Sequence, residues 1–313
     1  MSTEPVQPLV VIIGPTASGK SSLAVRLALL LAEQGHHAEI VNADSMAVYR
    51  GMDIGTAKPS ARERALVPHH LVDILDVRQS ASVARFQEMA RRTIRALREQ
   101  GTVPLLVGGS SLYTRAVVDD FRFPGTDPRV REHWEAQLDR LGAEGLHALL
   151  AARSPRAAEQ ILPGNSRRVV RALEILDLTG HFEPGLPPLH YLLDSVRQFG
   201  LELDRETMDR RIAARVDTMF DEGLVEEVRR LEHEGLREGV TACRALGYRQ
   251  VLAMLDGELS PEQARQRTVE QTRRFSRKQL SWFRRDPRIE WLPALEPQLE
   301  VRIAERLAGS WRS

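Results

Sequence analysis

Residues Gly14, Pro15, Thr16, Ala17, Ser18, Gly19, Lys20 and Ser21 match the pattern G-x-x-x-x-G-K-[ST]. The glycines let successive backbone N–H groups turn toward phosphate oxygens, and a helix N-terminus adds a positive field. Lys20 then supplies a cation and the Ser21 hydroxyl a ligand for Mg²⁺. The pattern specifies a phosphate ester without saying which: ATP, GTP or any diphosphate satisfies the same donors. The next chemically useful group is Asp44, at the head of a long segment, DSMAVYRGMDIGTAKP, running to Pro59. Asp44 suits acid/base work opposite a phosphate group, or it caps a following helix. A kinase or ATPase also needs an Asp ending a second buried strand to hold Mg²⁺. The candidate, Leu71 to Asp76, is interrupted by acids at 73 and 76.

A second chemistry lies near the end. From Arg265 to Arg288 nine Lys or Arg stand against two acids, interleaved with Phe275, Trp282 and Phe283. Cations that meet phosphates and aromatics that stack on bases make a nucleic-acid surface; a solvated helix face over core aromatics gives the same spacing. His69 and His70 have no further His, Cys or Glu at metal-ligand spacing and read as loop packing. Cys243 has no nearby His to activate it and reads as a small buried residue.

These groups need elements to position them. Leu9 to Ile13 is a continuous apolar run, followed after the loop by Leu23, Leu27 and Leu30 at helical spacing. Further apolar runs at Glu39 to Asn42 and Val103 to Val107 flank an amphipathic stretch, Val83 to Glu99. Short apolar strands alternating with helices predict an α/β fold, a parallel sheet with helices on both faces. Asp44 then falls at the C-terminal end of the second strand, on the edge where such sheets bind ligands. From Phe123 the texture becomes charged, Leu/Ala-rich and helical until about Gly180, and PGLPP at 184–188 closes it. The expectation is a core of residues 1–122 and 190–313 with an inserted all-helical domain at 123–189. Gln198 to Leu203 returns a strand, and the remainder reads as mostly helical.

With 313 residues, 42% of them hydrophobic, the chain can bury one large core and a smaller one. A single cysteine excludes an internal disulfide and fits a reducing compartment. MSTEPVQP at 1–8 lacks the features of a signal peptide, and LVVII is too short to span a membrane, so the expected location is the cytoplasm.

GPTASGKS, ADSMAVYRGMDIGTAKP, HHLVDI, LLVGGSSLY, FPGTDPRVR, NSRRVVRALEI, the TACRALGY block and RRFSRKQLSWFRRDPR occur in this order. Together they resemble the tRNA dimethylallyltransferases, also called tRNA isopentenyl transferases, over nearly the whole chain. The resemblance implies transfer of a dimethylallyl group from its diphosphate to the N6 of an adenosine next to the anticodon. It implies that the phosphate loop, Gly14 to Ser21, holds the diphosphate with Mg²⁺, that Asp44 is the general base, and that Ser110 meets the target nucleotide. Ser45, Met46 and Ala47 beside Asp44 are expected at the base. Arg131 and the run Arg167, Arg168, Val169, Val170 and Arg171 are expected on the anticodon stem-loop, with Arg277 on the tRNA from the basic segment. Arg211 and Arg215 both match the family's arginines near the diphosphate, with Arg215 the candidate for the leaving group. Ala47 and Arg167 stand where Gln is frequent, and Ser111 where Gly or Met is. The expected partners are tRNA and dimethylallyl diphosphate, and the protein is expected to act as a monomer. The competing enzyme reading is a P-loop small-molecule or nucleotide kinase, and a non-catalytic RNA-binding module is the third.

Overall fold

The computed structural model describes residues 7–311; most of the segment MSTEPVQP at 1–8 lies outside them. Two compact units emerge, one of residues 1–119 and 191–313, the other Asp120–His190. In the first, six strands form one parallel sheet ordered β3-β2-β4-β1-β5-β6. They are β1 (Leu9–Ile13), β2 (Ala38–Asn42), β3 (His69–His70), β4 (Val103–Gly108), β5 (Val196–Glu202) and β6 (Ile289–Pro293). Helices α1 (Lys20–Glu33), α2 (Ala61–Leu66), α3 (Val83–Glu99) and α4 (Ser111–Val118) precede the insert. Helices α5 (Pro128–Arg153), α6 (Pro155–Gln160) and α7 (Ser166–Thr179) build it. After it come α8 (Arg205–Asp221), α9 (Leu224–His233), α10 (Tyr248–Leu255), α11 (Pro261–Phe283) and α12 (Leu299–Leu307).

The β1 run is apolar throughout because both its faces are covered. Val10 and Ile12 pack with Leu23, Leu27 and Leu31 of α1 and Ile303 and Leu307 of α12. Leu9, Val11 and Ile13 pack with Phe86, Ala90 and Ile94 of α3. Each such side chain taken from water contributes about 1.5–3 kcal/mol. A third cluster joins Val48, Tyr49 and Met52, from the segment after β2, to Leu224, Val228 and Leu231 of α9 and Tyr248 of α10.

In the insert, Asp127 caps α5 through the amides of Arg129 (2.8 Å) and Val130 (3.4 Å), with Pro128 opening the helix. Gly142, at φ 70°, kinks it. Its core gathers Trp134, Leu146, Leu150, Val169, Val170 and Leu173. Among the described residues no helix is long and apolar enough to cross a membrane.

Leu71 to Asp76, read from sequence as interrupted by acids, forms no strand: Leu71 and Asp73 take φ of 60° and 57°, and the Asp73 carboxylate is bound by Lys58 (2.5 Å) and Arg64 (2.8 Å). Other expectations need correcting. β6 follows α11 where helix was expected, and pairs with β5 from Gln198↔Ile289 onward. The basic segment is less free than its count suggests. Arg265 pairs with Asp217 and Asp221, Arg288 with Asp119 and Asp286, and Phe283 is buried. Cys243 is half-buried at the edge of the third cluster. His70 hydrogen-bonds Glu39 (2.6 Å), and His69 bonds the carbonyl of Val67 (2.7 Å).

Candidate active site

Parallel strands deliver their C-terminal ends to one edge, and three neighbouring ends carry the site. The register pairs Ile13 with Gly108 and Asn42 with Val107, so the phosphate loop, Asp44 and Ser110 leave the sheet side by side. The approach is close: a Cβ on Gly108 would lie 2.4 Å from the Ala43 carbonyl oxygen, so only glycine fits. The phosphate loop turns through Ala17 (φ 62°) and Gly19 (φ 92°), the latter heading α1. Ser18 is 2% exposed and its Oγ is buried with no hydrogen-bond partner among the described residues, a donor left for a ligand. Lys20 Nζ donates to the Pro15 carbonyl (2.8 Å). Burial pushes its ammonium down to about 8; Asp44 acts in the opposite sense, and the nearby Arg215 lowers it further. Desolvation likewise lowers Arg215, opposed by Asp44.

Asp44 accepts from Met46 N at 2.8 Å through Oδ1, and its own amide donates to Asn42 Oδ1 (2.9 Å). No helix follows it, so it caps none. Two adjoining chambers share lining residues here. The smaller, about 110 Å³, is lined by Thr16, Lys20, Ser21, Asp44, Ala47 and Arg215. The larger, about 600 Å³, is lined by Asp44, Ser45, Met46 and Ser110 and by the apolar Ile212, Val216, Met219 and Leu246. Thr16, Asp44, Thr56, Gly109, Arg215, Phe275 and Gln279 border both and form the waist. Arg215 therefore belongs to the cavity, and Arg211 does not line it: Arg211 Nε donates to the Ala17 carbonyl (2.8 Å). Ser110 precedes α4 but its hydroxyl makes no capping bond. Among the described residues no cluster of three or more His, Cys, Asp or Glu could hold a metal. A cation beside Ser21 would share phosphate oxygens of a ligand, as Mg²⁺ commonly does.

The expected RNA residues divide. Val169 and Val170 are 0% and 2% exposed in the core of the insert, so their side chains cannot touch RNA. Arg131 and Arg171 first neutralise the buried carboxylate of Glu174 (3.4 and 2.9 Å). Arg167 and Arg168 are exposed, and Arg168 also donates to the Pro184 carbonyl. Arg277 pairs with Asp209 at 3.7 Å and lies outside the cavity lining.

Other groups carry no sequence signal that singles them out. Gln279 of α11 accepts from Thr16 N (3.0 Å) and donates to the Gly109 carbonyl (2.7 Å), tying α11 to the phosphate loop and the end of β4. Arg244, Arg249 and Arg274 line the larger chamber and not the smaller one. The TACRALGY and RRFSRKQL blocks contain three of these four residues, Arg249 lying just beyond the first, but neither spacing nor residue type tells which of their members face a cavity.

A family model described as IPP transferase matches residues 47–286. A Kineococcus radiotolerans protein named tRNA dimethylallyltransferase is 57% identical over 306 residues, 97% of this chain and 96% of its own. A Cutibacterium acnes protein of the same name is 54% identical over 96% and 94% of the two chains. The crystal structure of the full-length tRNA isopentenylpyrophosphate transferase of Bacillus halodurans superposes with a TM-score of 0.71 at 38% identity, covering 97% of each chain. Matched by one family model over most of its length and by relatives more than half identical across nearly all of it, the chain belongs to the IPP transferase family.

Proposed function

We propose that the protein, acting as a cytoplasmic monomer, transfers the dimethylallyl group of dimethylallyl diphosphate to the exocyclic N6 of an adenosine beside the anticodon of tRNA, releasing diphosphate. One observation carries the reading: Thr16 of the phosphate loop and Asp44 border a cavity that also presents the apolar side chains of Ile212, Val216, Met219 and Leu246. A phosphate cradle beside apolar volume suits a prenyl diphosphate. The kinase reading needs an Asp ending a second buried strand, whereas Leu71 to Asp76 forms no strand and its Asp73 is bound by Lys58 and Arg64.

In this reading the adenine enters from the larger chamber past Ser45, Met46 and Ser110. Flipping it from a loop costs about a few kcal/mol, less than from a duplex. Its N6 lone pair attacks C1 of the dimethylallyl group as the C1–O bond breaks, and the bonding pair leaves on the diphosphate. The proton released from N6 passes to Asp44. Lys20, the loop amides, Ser18 and Arg215 meet the charge growing on the leaving oxygens. Ser21 would hold a Mg²⁺ ion here, and that ion would supply further neutralisation of the leaving oxygens. The deciding assay mixes the protein with dimethylallyl diphosphate, Mg²⁺ and unmodified tRNA, digests the RNA and seeks prenylated adenosine by mass spectrometry. Product that forms without ATP supports the reading; ATP-dependent phosphoryl transfer with no prenylated base refutes it.

A further inference from the structure

Away from the phosphate loop, one carboxylate is buried where the reaction has no direct use for it. Glu227 of α9 is 6% exposed, and all its hydrogen bonds go to groups around one stretch of the segment after β2. Oε2 accepts from the amides of Asp53 (3.0 Å) and Ile54 (2.8 Å). Oε1 accepts from the amide of Gly55 (3.3 Å) and from the Tyr248 hydroxyl (2.6 Å). Burial and the neighbouring Glu227 push the Tyr248 phenol far above its ordinary range, so it remains a donor. Gly55 lies flat on that ring: a Cβ there would be 2.4 Å from Tyr248 Cε2 and 2.9 Å from Leu224.

What this clamp holds is one side of the cavity. Gly55 and Thr56 line the larger chamber, and Thr56 the smaller one too. The Thr56 carbonyl accepts from Arg215 Nη2 at 3.3 Å. Lys58, its side chain 2% exposed, secures the far end through the Tyr49 carbonyl (2.8 Å) and Asp53 (2.6 Å). The chain of contacts runs from Glu227 through residues 53–55 to Thr56, then to Arg215, which sits beside Lys20 and Asp44.

We propose that Glu227, assisted by Tyr248, is a positioning residue for prenyl transfer: it fixes residues 53–56 so that the Thr56 carbonyl aims Arg215 at the leaving diphosphate. Arg215 is half-buried and partly desolvated, so an ungoverned guanidinium would swing toward water or toward Asp44. The inference rests on the reading that Arg215 meets the diphosphate.

The experiment is a double-mutant cycle read by calorimetric titration of inorganic diphosphate with Mg²⁺ into the full chain, alongside tRNA binding. Glu227→Gln replaces one accepting oxygen by an amide N–H₂ facing donors, and Tyr248→Phe removes only the hydroxyl, leaving a milder variant that keeps the ring. Glu227→Gln is expected to weaken diphosphate binding about tenfold, the loss of one hydrogen bond to a charged group. Tyr248→Phe should weaken it less, and tRNA affinity should stay unchanged in both. In an Arg215→Ala background neither substitution should cost anything further, a result that general destabilisation would not produce. Additive losses in the double variants overturn this inference alone. Unchanged diphosphate binding in Arg215→Ala overturns it together with the role given to Arg215.

Discussion

Asp44 uses its two carboxylate oxygens unequally, and a single substitution can exploit that. Oδ1 is committed to the Met46 amide, and no hydrogen bond to Oδ2 occurs among the described residues. Asp44→Asn can keep the first bond and cannot accept a proton. Single-turnover transfer should then fall by about two to four orders of magnitude with both substrates still bound. A near-normal rate in folded Asp44→Asn that binds tRNA removes Asp44 as the base. Lys20 makes a prediction about pH. Its ammonium is depressed to about 8 by burial, so above that pH the free protein loses the cation that a diphosphate needs. Bringing in the anion favours the charged form and raises this value, so binding takes up a proton and affinity declines as pH rises through about 8. Titration of inorganic diphosphate between pH 7 and 9 reads the slope, and Lys20→Met should flatten it. An equal slope in Lys20→Met would assign the pH dependence to another group.

At the scale of elements, the meeting of β2 and β4 decides whether phosphate loop and base face each other. Gly108→Ala places a methyl 2.4 Å from the Ala43 carbonyl oxygen and must part the two strand ends. The expected cost is about 1–3 kcal/mol of stability by overpacking. A marked loss of transfer with tRNA binding retained should accompany it, as followed by thermal denaturation and the prenylation assay. Unimpaired transfer would mean that the site tolerates a shifted strand. The strands flanking this junction were legible because β1 and β4, covered on both faces, read as unbroken apolar runs, and β2 keeps Ile40 and Val41 between Glu39 and Asn42. β3 is two residues long and β6 mixes Glu, Trp and Pro into an edge strand, so neither stands out from its surroundings. Thr16 and Asp44 could be singled out because the phosphate-loop motif and a strand end mark them; Ser110 and Arg215 came only from the family resemblance, which left Arg215 undistinguished from Arg211. Gln279 and Glu227 could not: their partners lie between 170 and 263 residues away, in the case of Gln279, and at 172 to 174 for the clamped amides. No local pattern encodes a hydrogen bond across that distance.

For the whole molecule, charge must be counted after internal pairing. Arg265 and Arg288 are engaged within the fold, and Arg131 and Arg171 hold Glu174. Arg167 and Arg168 in the insert and Arg274 in the core keep exposed guanidinium groups. Replacing each by Ala should raise the KM for tRNA and flatten the log–log salt dependence of binding by about one unit or less. Arg131→Ala should instead lower the melting temperature, since it strips a partner from a buried carboxylate. Salt slopes unchanged in all three exposed variants would return them to the solvated surface. The strand order has a further consequence during synthesis. β1 precedes the other described strands in the chain, yet it lies between β4 and β5, and β5 begins at Val196, after the insert. At about 5–20 residues per second, a nascent chain spends about ten seconds or more with one flank of its central strand unpaired. Gln279, which reaches back to Thr16, emerges later still. The phosphate loop therefore waits on the ribosome beside an unfinished edge, open to chaperones and to misregistered strands, until β5 and later α11 arrive to complete it.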